Sequence, residues 1–218
     1  MPEAFNPDFD RQVRTGAPEI IYSEFKTVEN IVEIARAHVS KEGRVIFTRM
    51  QPEKAAKAVK ALKGYSPKYD ETSRVFTAQK KGYKNPKKEG TVLIIAAGTS
   101  DVPVAEEARI ISESLGLNAI THYDVGIAGI HRLNPAIKDM KKAGAIIVAA
   151  GMEGALPSVV SGLTSLPVIA VPTSVGYGVA KGGRTALNAM LTSCTPLAVV
   201  NIDNGYGAAV LAYRIIRV

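Results

Sequence analysis

Five glycine-rich turns carry most of the residues in this sequence that could bind or transform a ligand. Each turn follows an apolar run rich in β-branched residues. Glycine lets backbone N–H groups approach a phosphate closely, and the N-terminus of a following helix adds favourable dipole potential. The turns therefore suit an anionic nucleotide. They are Gly98-Thr99-Ser100-Asp101, YDVGIAG (123–129), GMEGA (151–155), PTSVGYG (172–178) and DNGYG (203–207).

Hydroxyl, carboxylate and aromatic side chains accompany these glycines. We expect Thr99, Ser100, Asp101, Asp124 and Ser174 to position phosphates and a hydrolytic water. Mg²⁺ could neutralise charge there, but two acids do not define a metal site, so the metal and its ligands stay unknown. Helix capping is the alternative for the first turn. The other candidates for substrate binding in the turns are Gly98, Gly151, Met152, Gly154, Gly176, Tyr177 and Gly178.

Common signatures of other chemistry are missing from the sequence. The first turn is not G-x-G-x-x-G, and the chain contains no G-x-x-x-x-G-K-[ST], so no motif indicates hydride transfer or nucleoside triphosphate hydrolysis. The single cysteine, Cys194, cannot form an intramolecular disulfide, and three scattered histidines give no zinc spacing.

Size and composition indicate a globular protein. The chain has 218 residues, 46% of them hydrophobic and 22% charged, and no apolar run approaches the roughly 18 residues that cross a bilayer. The N-terminus lacks the charged-then-apolar pattern of an export signal. We therefore expect a cytoplasmic protein with no membrane contact.

The formal net charge of +7 is concentrated in the first 90 residues. Lys54, Lys57, Lys60 and Lys63 are spaced as one helix face, which favours a solvated surface. Attraction of a phosphate-bearing ligand is the alternative. Nucleic-acid binding is not expected, because the basic stretch has few aromatic residues and no recognisable binding motif.

Residues 90–218 repeat an apolar run, a glycine-rich turn and an amphipathic segment of about a dozen residues. This βα repetition, with continuously apolar strands, indicates a parallel sheet that is buried on both faces. We predict an α/β fold with a flavodoxin-like, doubly wound, five-stranded sheet in the order 2-1-3-4-5. The predicted strands are 91–97, 118–122, 145–150, 167–171 and 197–202.

Residues 1–85 predict a separate, small N-terminal α/β domain. Helical spacing of apolar residues indicates helices over 28–39 and 52–62, and short apolar runs indicate strands at 44–48 and 74–78. An irregular arm precedes these elements.

Several runs of the chain resemble the LarB family of nickel-pincer nucleotide cofactor biosynthesis. They are AAGTSDVPVAEEA, YDVGIAGIHRL, AAGMEGALPSVVSGL, LPVIAVPTSVGYG, NAMLTSCTPLAVVNIDNGYGAA, RTGAPEIIYSEFKT and FTRMQPEKA. The second half is also similar to PurE-type aminoimidazole ribonucleotide (AIR) carboxylases, whose motifs match Ser100-Asp101 and His131-Arg132. The N-terminal motif departs from the family's Gly-Phe-Pro-Glu and Gly-Lys, because here it reads Gly16-Ala17-Pro18-Glu19 and Phe25-Lys26.

The resemblance implies an enzyme that is both carboxylase and hydrolase. Its substrates would be nicotinic acid adenine dinucleotide and CO2, and its products pyridinium-3,5-biscarboxylic acid mononucleotide and AMP. Carboxylation at pyridinium carbon 5 needs a nucleophile to add to the ring first, and the family resemblance assigns this role to the Cys194 thiolate. It assigns the base that removes the carbon 5 proton to Glu153. Without the resemblance, we would interpret Cys194 as an inert, small hydrophobic residue and Glu153 as a carboxylate at a helix N-terminus, where the helix dipole stabilises it.

The predicted topology separates Cys194 from Glu153. Cys194 precedes the fifth strand, whereas Glu153 follows the third, so within one subunit they lie at opposite edges of the sheet, roughly 17 Å apart, unless the intervening segment bends back. A shared site therefore needs Cys194 from a second subunit. This agrees with the homo-octamers that the resemblance implies.

Two other functions are compatible with the sequence. One is a PurE-like aminoimidazole ribonucleotide carboxylase or mutase, which needs no cysteine nucleophile. The other is a non-catalytic nucleotide sensor, which would bind a dinucleotide and never turn it over. In either case His131 could contact phosphate or lie on a helix face, and His122 is expected to be structural.

Overall fold

The chain is divided into two compact units in a computed structural model that describes residues 5–217. One unit extends to Asn85 and the other begins at Pro86. The first four residues, which belong to the predicted arm and to the N-terminus judged to lack an export signal, lie outside the described range, as does Val218.

The first unit is a four-stranded mixed sheet with helices. Its strand order is β1-β2-β4-β3, with β1 parallel to β2 and the other pairs antiparallel. Phe47 and Phe76 pack edge to face in its core. The elements are α1 (Arg11–Thr15), β1 (Ile21–Tyr22), α2 (Val28–Glu42), β2 (Arg44–Thr48), α3 (Pro52–Ala61), β3 (Lys68–Asp70) and β4 (Val75–Gln79).

This unit is more regular than the sequence pattern indicates. The predicted irregular arm contains α1 and β1, and β3 was not predicted. These elements have only two to five residues, too few to show a hydrophobic period. Where the pattern is longer it holds: α2 begins after Thr27, whose side chain accepts a hydrogen bond from the Asn30 N–H, and ends at Gly43.

The second unit is a five-stranded, all-parallel sheet in the order β6-β5-β7-β8-β9, which confirms the predicted doubly wound topology. Helices α4 and α8 cover one face of the sheet, and α5, α6 and α7 cover the other. The elements are β5 (Thr91–Ala96), α4 (Val102–Leu115), β6 (Asn118–His122), α5 (Asn134–Met140), β7 (Ala145–Ala150), α6 (Leu156–Ser161), β8 (Val168–Pro172), α7 (Arg184–Leu191), β9 (Ala198–Val199) and α8 (Gly205–Arg217).

The last strand is much shorter than predicted. The prediction of 197–202 was too long, because β9 contains only Ala198–Val199. The Asn201 side chain accepts the Ile202 N–H at 2.9 Å, and Asp203 has a positive φ of 57°. Side-chain hydrogen bonding and this turn conformation end the ladder at the sheet edge.

Three of the five helices are also shorter than the predicted dozen residues. Helices α5, α6 and α7 have six to eight residues. Two of them follow 3₁₀ segments, Ile127–Leu133 and Gly178–Gly183, which use part of the amphipathic sequence. Within residues 5–217, no helix is long and apolar enough to span a membrane.

Two adjacent glycines before α7 allow the destabilisation caused by steric crowding to be measured apart from that caused by backbone strain. Gly182 and Gly183 have φ of 79° and 80°, but a Cβ on Gly183 would lie 2.7 Å from the Thr173 carbonyl oxygen, while one on Gly182 meets nothing within 4 Å. We expect Gly182→Ala to cost about 1–2 kcal/mol of unfolding free energy. Gly183→Ala should cost about 1–3 kcal/mol more, measured by urea unfolding with circular dichroism. Equal losses would contradict the crowding.

Candidate active site

Turns at the carboxyl edge of the parallel sheet enclose a cavity of about 460 Å³, within the range of small-molecule sites. The turns after β5, β6 and β7 supply most of its lining, together with Val175 from the turn after β8. Nine of the predicted site residues line it: Gly98, Thr99, Ser100, Asp101, Asp124, Arg132, Gly151, Met152 and Glu153.

The Asp101 carboxylate ties three of these turns together. Asp101 is only 4% exposed. Its Oδ2 accepts the Gly98 N–H at 2.8 Å, and its Oδ1 accepts the Thr173 hydroxyl at 2.5 Å. The Gly151 backbone donates a further hydrogen bond. The bond to Gly98 is the capping interaction considered from sequence, while the other two join the turns after β7 and β8.

Burial raises the pKa of Asp101 above its ordinary value of 3.8. The hydrogen bonds from Thr173, Gly98 and Gly151 oppose this shift, and the negative charge of Asp203 adds to it. Desolvation outweighs the hydrogen bonds, so the folded protein binds a proton at Asp101 more readily than the unfolded chain does.

The turn after β7 presents Glu153 beside the cavity. It is wound tightly against the turn after β8: the Met152 N–H donates to the Val175 carbonyl at 3.0 Å, and Met152 has φ of 52°. A Cβ on Gly151 would lie 2.7 Å from the Thr173 hydroxyl, so only glycine fits there. Glu153 follows this fixed turn with its side chain exposed. It is therefore accessible to a ligand in the cavity.

Arg132 is the cationic group of the cavity. Its Nη1 lies 2.6 Å from Asp124 Oδ2, and both side chains are partly exposed. The neighbouring His131 is exposed and does not line the cavity. An anionic ligand that binds Arg132 would compete with Asp124. His122 instead pairs with Asp139 at 2.9 Å.

The structure does not bring every candidate to the cavity. Gly154 packs against the Ala186 backbone of α7. The Ser174 N–H donates to Asp203 at 2.7 Å, which joins the last two turns instead. Gly176, Tyr177 and Gly178 also lie outside the lining, and the Tyr177 ring is largely exposed.

Cys194 lies outside the cavity, in the segment between α7 and β9, and is exposed. Hydrogen bonds to α6 hold this segment: Ser158 Oγ donates to Ser193 Oγ at 2.8 Å, and the Thr195 hydroxyl donates to the Ser158 carbonyl at 3.3 Å. Because Cys194 is exposed, its thiol is not buried in the core of its own subunit.

Sequence reasoning missed Thr173 as part of the site. Thr173 is fully buried, and its hydroxyl holds Asp101. The signal was a hydroxyl residue directly after an apolar strand, but its partner is 72 residues away in the sequence. Only the parallel pairing of β5, β7 and β8 brings the two together.

The acids of the cavity do not offer a ready set of magnesium ligands. Both Asp101 oxygens accept internal hydrogen bonds, and Asp124 pairs with Arg132. Within residues 5–217, no three His, Cys, Asp or Glu side chains form a group that could hold a metal ion. These residues do not fit a protein-held Mg²⁺, so no step is assigned to one.

The Asp101 shift predicts a pH dependence of stability. Because its pKa is higher in the folded state, Asp101 contributes stability below about pH 3.8, and this contribution is lost as the pH rises through the folded-state pKa. We expect the unfolding free energy of the wild type to rise relative to Asp101→Asn as the pH falls from 7 to 4. Urea titrations at several pH values measure this difference. A difference that shrinks on acidification would contradict the shift.

Comparisons with known proteins cover both units. Residues 3–81 match a LarB/PurE-like N-terminal domain, and residues 91–218 match AIR carboxylase. An uncharacterized protein of Methanocaldococcus jannaschii is 46% identical over 99% of this chain and 85% of its own length.

Two relatives carry the name of a ribonucleotide mutase and match little more than half of this chain. An N5-carboxyaminoimidazole ribonucleotide mutase of the same organism is 34% identical over 57% of this chain and 78% of its own. That of Pyrococcus horikoshii is 38% identical over 57% and 71%. These relatives support a carboxylase-like role. Since the N-terminal match precedes the AIR carboxylase match, the chain belongs to the LarB family, with a PurE-like second domain.

Proposed function

We propose that this protein acts in nickel-pincer nucleotide biosynthesis as pyridinium-3,5-biscarboxylic acid mononucleotide synthase. It carboxylates nicotinic acid adenine dinucleotide at pyridinium carbon 5 and hydrolyses the phosphoanhydride. One observation carries the proposal: a cavity lined by Glu153 lies in the unit that matches AIR carboxylase, in a chain that also matches the LarB/PurE-like N-terminal domain.

The ring must gain electrons before it can attack CO2. The Cys194 thiolate adds to ring carbon 4, and the resulting dihydropyridine has an enamine carbon at position 5. This carbon forms a bond to CO2. The positive charge on the ring nitrogen then makes the carbon 5 proton acidic.

Glu153 accepts the carbon 5 proton, and the electron pair restores the carbon 5–carbon 6 double bond. The ring nitrogen then expels the Cys194 thiolate, and aromaticity returns. The exposed carboxylate on a rigid turn suits this base, because its position is fixed while its oxygens remain open to substrate.

Hydrolysis of the phosphoanhydride takes place, in this proposal, where the first turn and Arg132 line the cavity. A water oxygen attacks one phosphorus of the anhydride and loses a proton to solvent, the bond from that phosphorus to the bridging oxygen breaks, and AMP is released. Arg132 and the backbone of the first turn, Gly98 to Ser100, are the groups that stabilise the developing negative charge. Asp101 positions that turn through its bond to the Gly98 N–H.

A complete site needs two subunits in this proposal. Cys194 precedes β9 and Glu153 follows β7, at opposite ends of parallel strands. The second unit exposes large apolar side chains, which favours association with further copies. These side chains include Ile130, Leu163, Tyr177, Val179 and Leu191. A homo-octamer is the assembly that the family resemblance implies.

The mutase relatives favour one alternative. The AIR carboxylase match covers the domain that holds the cavity, and these relatives are ribonucleotide mutases by name. A ribonucleotide carboxylase or mutase would act on aminoimidazole ribonucleotides and would not depend on Cys194. A sensor would bind dinucleotide without changing it.

The first test is product analysis. Purified protein with nicotinic acid adenine dinucleotide, bicarbonate and Mg²⁺ should give the carboxylated mononucleotide and AMP by mass spectrometry. Cys194→Ser should abolish carboxylation, and Glu153→Gln should slow it by about 10²–10⁴-fold, as expected for loss of a general base. Glu113→Gln, the same change on α4 away from the cavity, serves as the control and should remain active.

Intact dinucleotide with the wild type would contradict the proposal, and aminoimidazole ribonucleotide would then be tested as the substrate. Wild-type activity of Cys194→Ser would remove the thiolate step. Wild-type activity of Glu153→Gln would remove this glutamate as the base.

Mixed assemblies test the contribution of the second subunit. Cys194→Ser is expected to be inactive and Glu153→Gln to retain at most about 1% of wild-type activity. Co-expressed chains would form some sites with Cys194 from one variant and Glu153 from the other. Random mixing predicts about a quarter of wild-type activity. Activity no higher than that of either variant alone would place both residues in one subunit.

A further inference from the structure

An exposed aromatic pair lies on the first unit, separate from the residues of the proposed carboxylation site. Phe25 is 85% exposed and Tyr22 is 44% exposed. Their ring centroids lie 6.0 Å apart, with an angle of 56° between the planes. Exposed rings in contact with each other offer an apolar surface to a ligand or partner.

Three cationic residues lie close to the pair, one against a ring and two beside it along the chain or through a hydrogen bond. The Arg49 guanidinium carbon lies 5.8 Å from the centroid of the Tyr22 ring. Lys54 Nζ donates to the Glu24 carbonyl at 2.6 Å, and Lys26 follows Phe25 directly in the chain. We call Tyr22, Phe25, Lys26, Arg49 and Lys54 the aromatic patch. The nearby Glu24 carboxylate already accepts a hydrogen bond from the Tyr22 hydroxyl.

The backbone below the aromatic patch is firmly held. Tyr22 pairs with Thr48 at the parallel end of β1 and β2. The fully buried Ser23 donates to the Thr48 carbonyl from both its N–H, at 3.1 Å, and its hydroxyl, at 2.7 Å. Arg49 follows with a positive φ of 53°. Tyr22 is therefore held at a strand end, and Phe25 lies in the following turn, which the Lys26 N–H closes by donating to the Ser23 carbonyl at 3.1 Å.

We propose that the aromatic patch binds an adenine nucleotide, with the base stacked on the Phe25 ring and the phosphate near the cationic side chains. Aromatic faces bind nucleobases by stacking, and arginine and lysine bind phosphate. The cations make an anionic aromatic ligand a better occupant than the uncharged face of a second copy. In the proposed function, which this assignment deepens, the adenylate of the dinucleotide and the released AMP both have this chemistry.

Binding of AMP, and separately of nicotinic acid adenine dinucleotide, to the full-length protein by isothermal titration calorimetry tests this site. Phe25→Ala should weaken the affinity for the ligand that occupies the patch by at least about fivefold. Phe25→Tyr should restore it, because a stacking ring returns. Val13→Ala, which alters an equally exposed apolar side chain of the same unit, should bind as the wild type does.

Two further probes separate the contributions. Ribose 5-phosphate has no base, so its binding should be unchanged by Phe25→Ala. A loss with the dinucleotide alone identifies bound substrate, and a loss with both ligands also admits released product. Wild-type affinity of Phe25→Ala for both ligands would overturn the assignment, as would binding of a single-stranded oligonucleotide but of neither ligand.

The outcome is distinguishable from failure of the proposed function. If Phe25→Ala binds both ligands normally while the wild type converts the dinucleotide, the aromatic patch is not the site and the enzyme assignment stands. If the wild type binds AMP in a Phe25-dependent way but leaves the dinucleotide intact, the patch stands and the synthase does not.

Discussion

The buried Asp101 carboxylate is the interaction on which the geometry of the cavity depends. It holds the turn after β5 through Gly98 and the turn after β8 through Thr173, on either side of the central turn that carries Glu153. Burial of a carboxylate is costly unless hydrogen bonds compensate, and here three donors converge on it. Strand order makes this possible, because β7 lies between β5 and β8 and all three end at one edge.

The long, buried strands that end at this edge could be predicted from the sequence, whereas the short edge strands could not. Strands such as Ala145–Ala150 are buried on both faces, so an unbroken apolar run identified them, and short crossovers then limited the strand order. The length of the β9 edge strand could not be predicted in this way, since a hydrogen bond from the Ile202 N–H to the Asn201 side chain competes with its ladder. The two-residue β1 was invisible for a different reason: it is shorter than any period that could reveal it.

Some residues of the candidate site could likewise be predicted from the sequence, and others could not. Residues within one turn, such as Thr99 and Ser100, could be grouped by sequence because they are neighbours in it. Thr173 could not, since it joins Asp101 only through the fold. The position of Cys194 outside the cavity follows from strand direction, which the sequence did predict. The proposed carboxylation needs this thiolate at the ring, so in that proposal a second chain supplies it.

The central claim is that the carbon of CO2 becomes a carboxylate on pyridinium carbon 5. Carbon-13 NMR of the products formed from [¹³C]bicarbonate and nicotinic acid adenine dinucleotide tests it directly. The account predicts one new labelled carboxylate whose carbon couples to the ring protons at positions 4 and 6. Label that stays in bicarbonate, while the dinucleotide persists or is only hydrolysed, would contradict it.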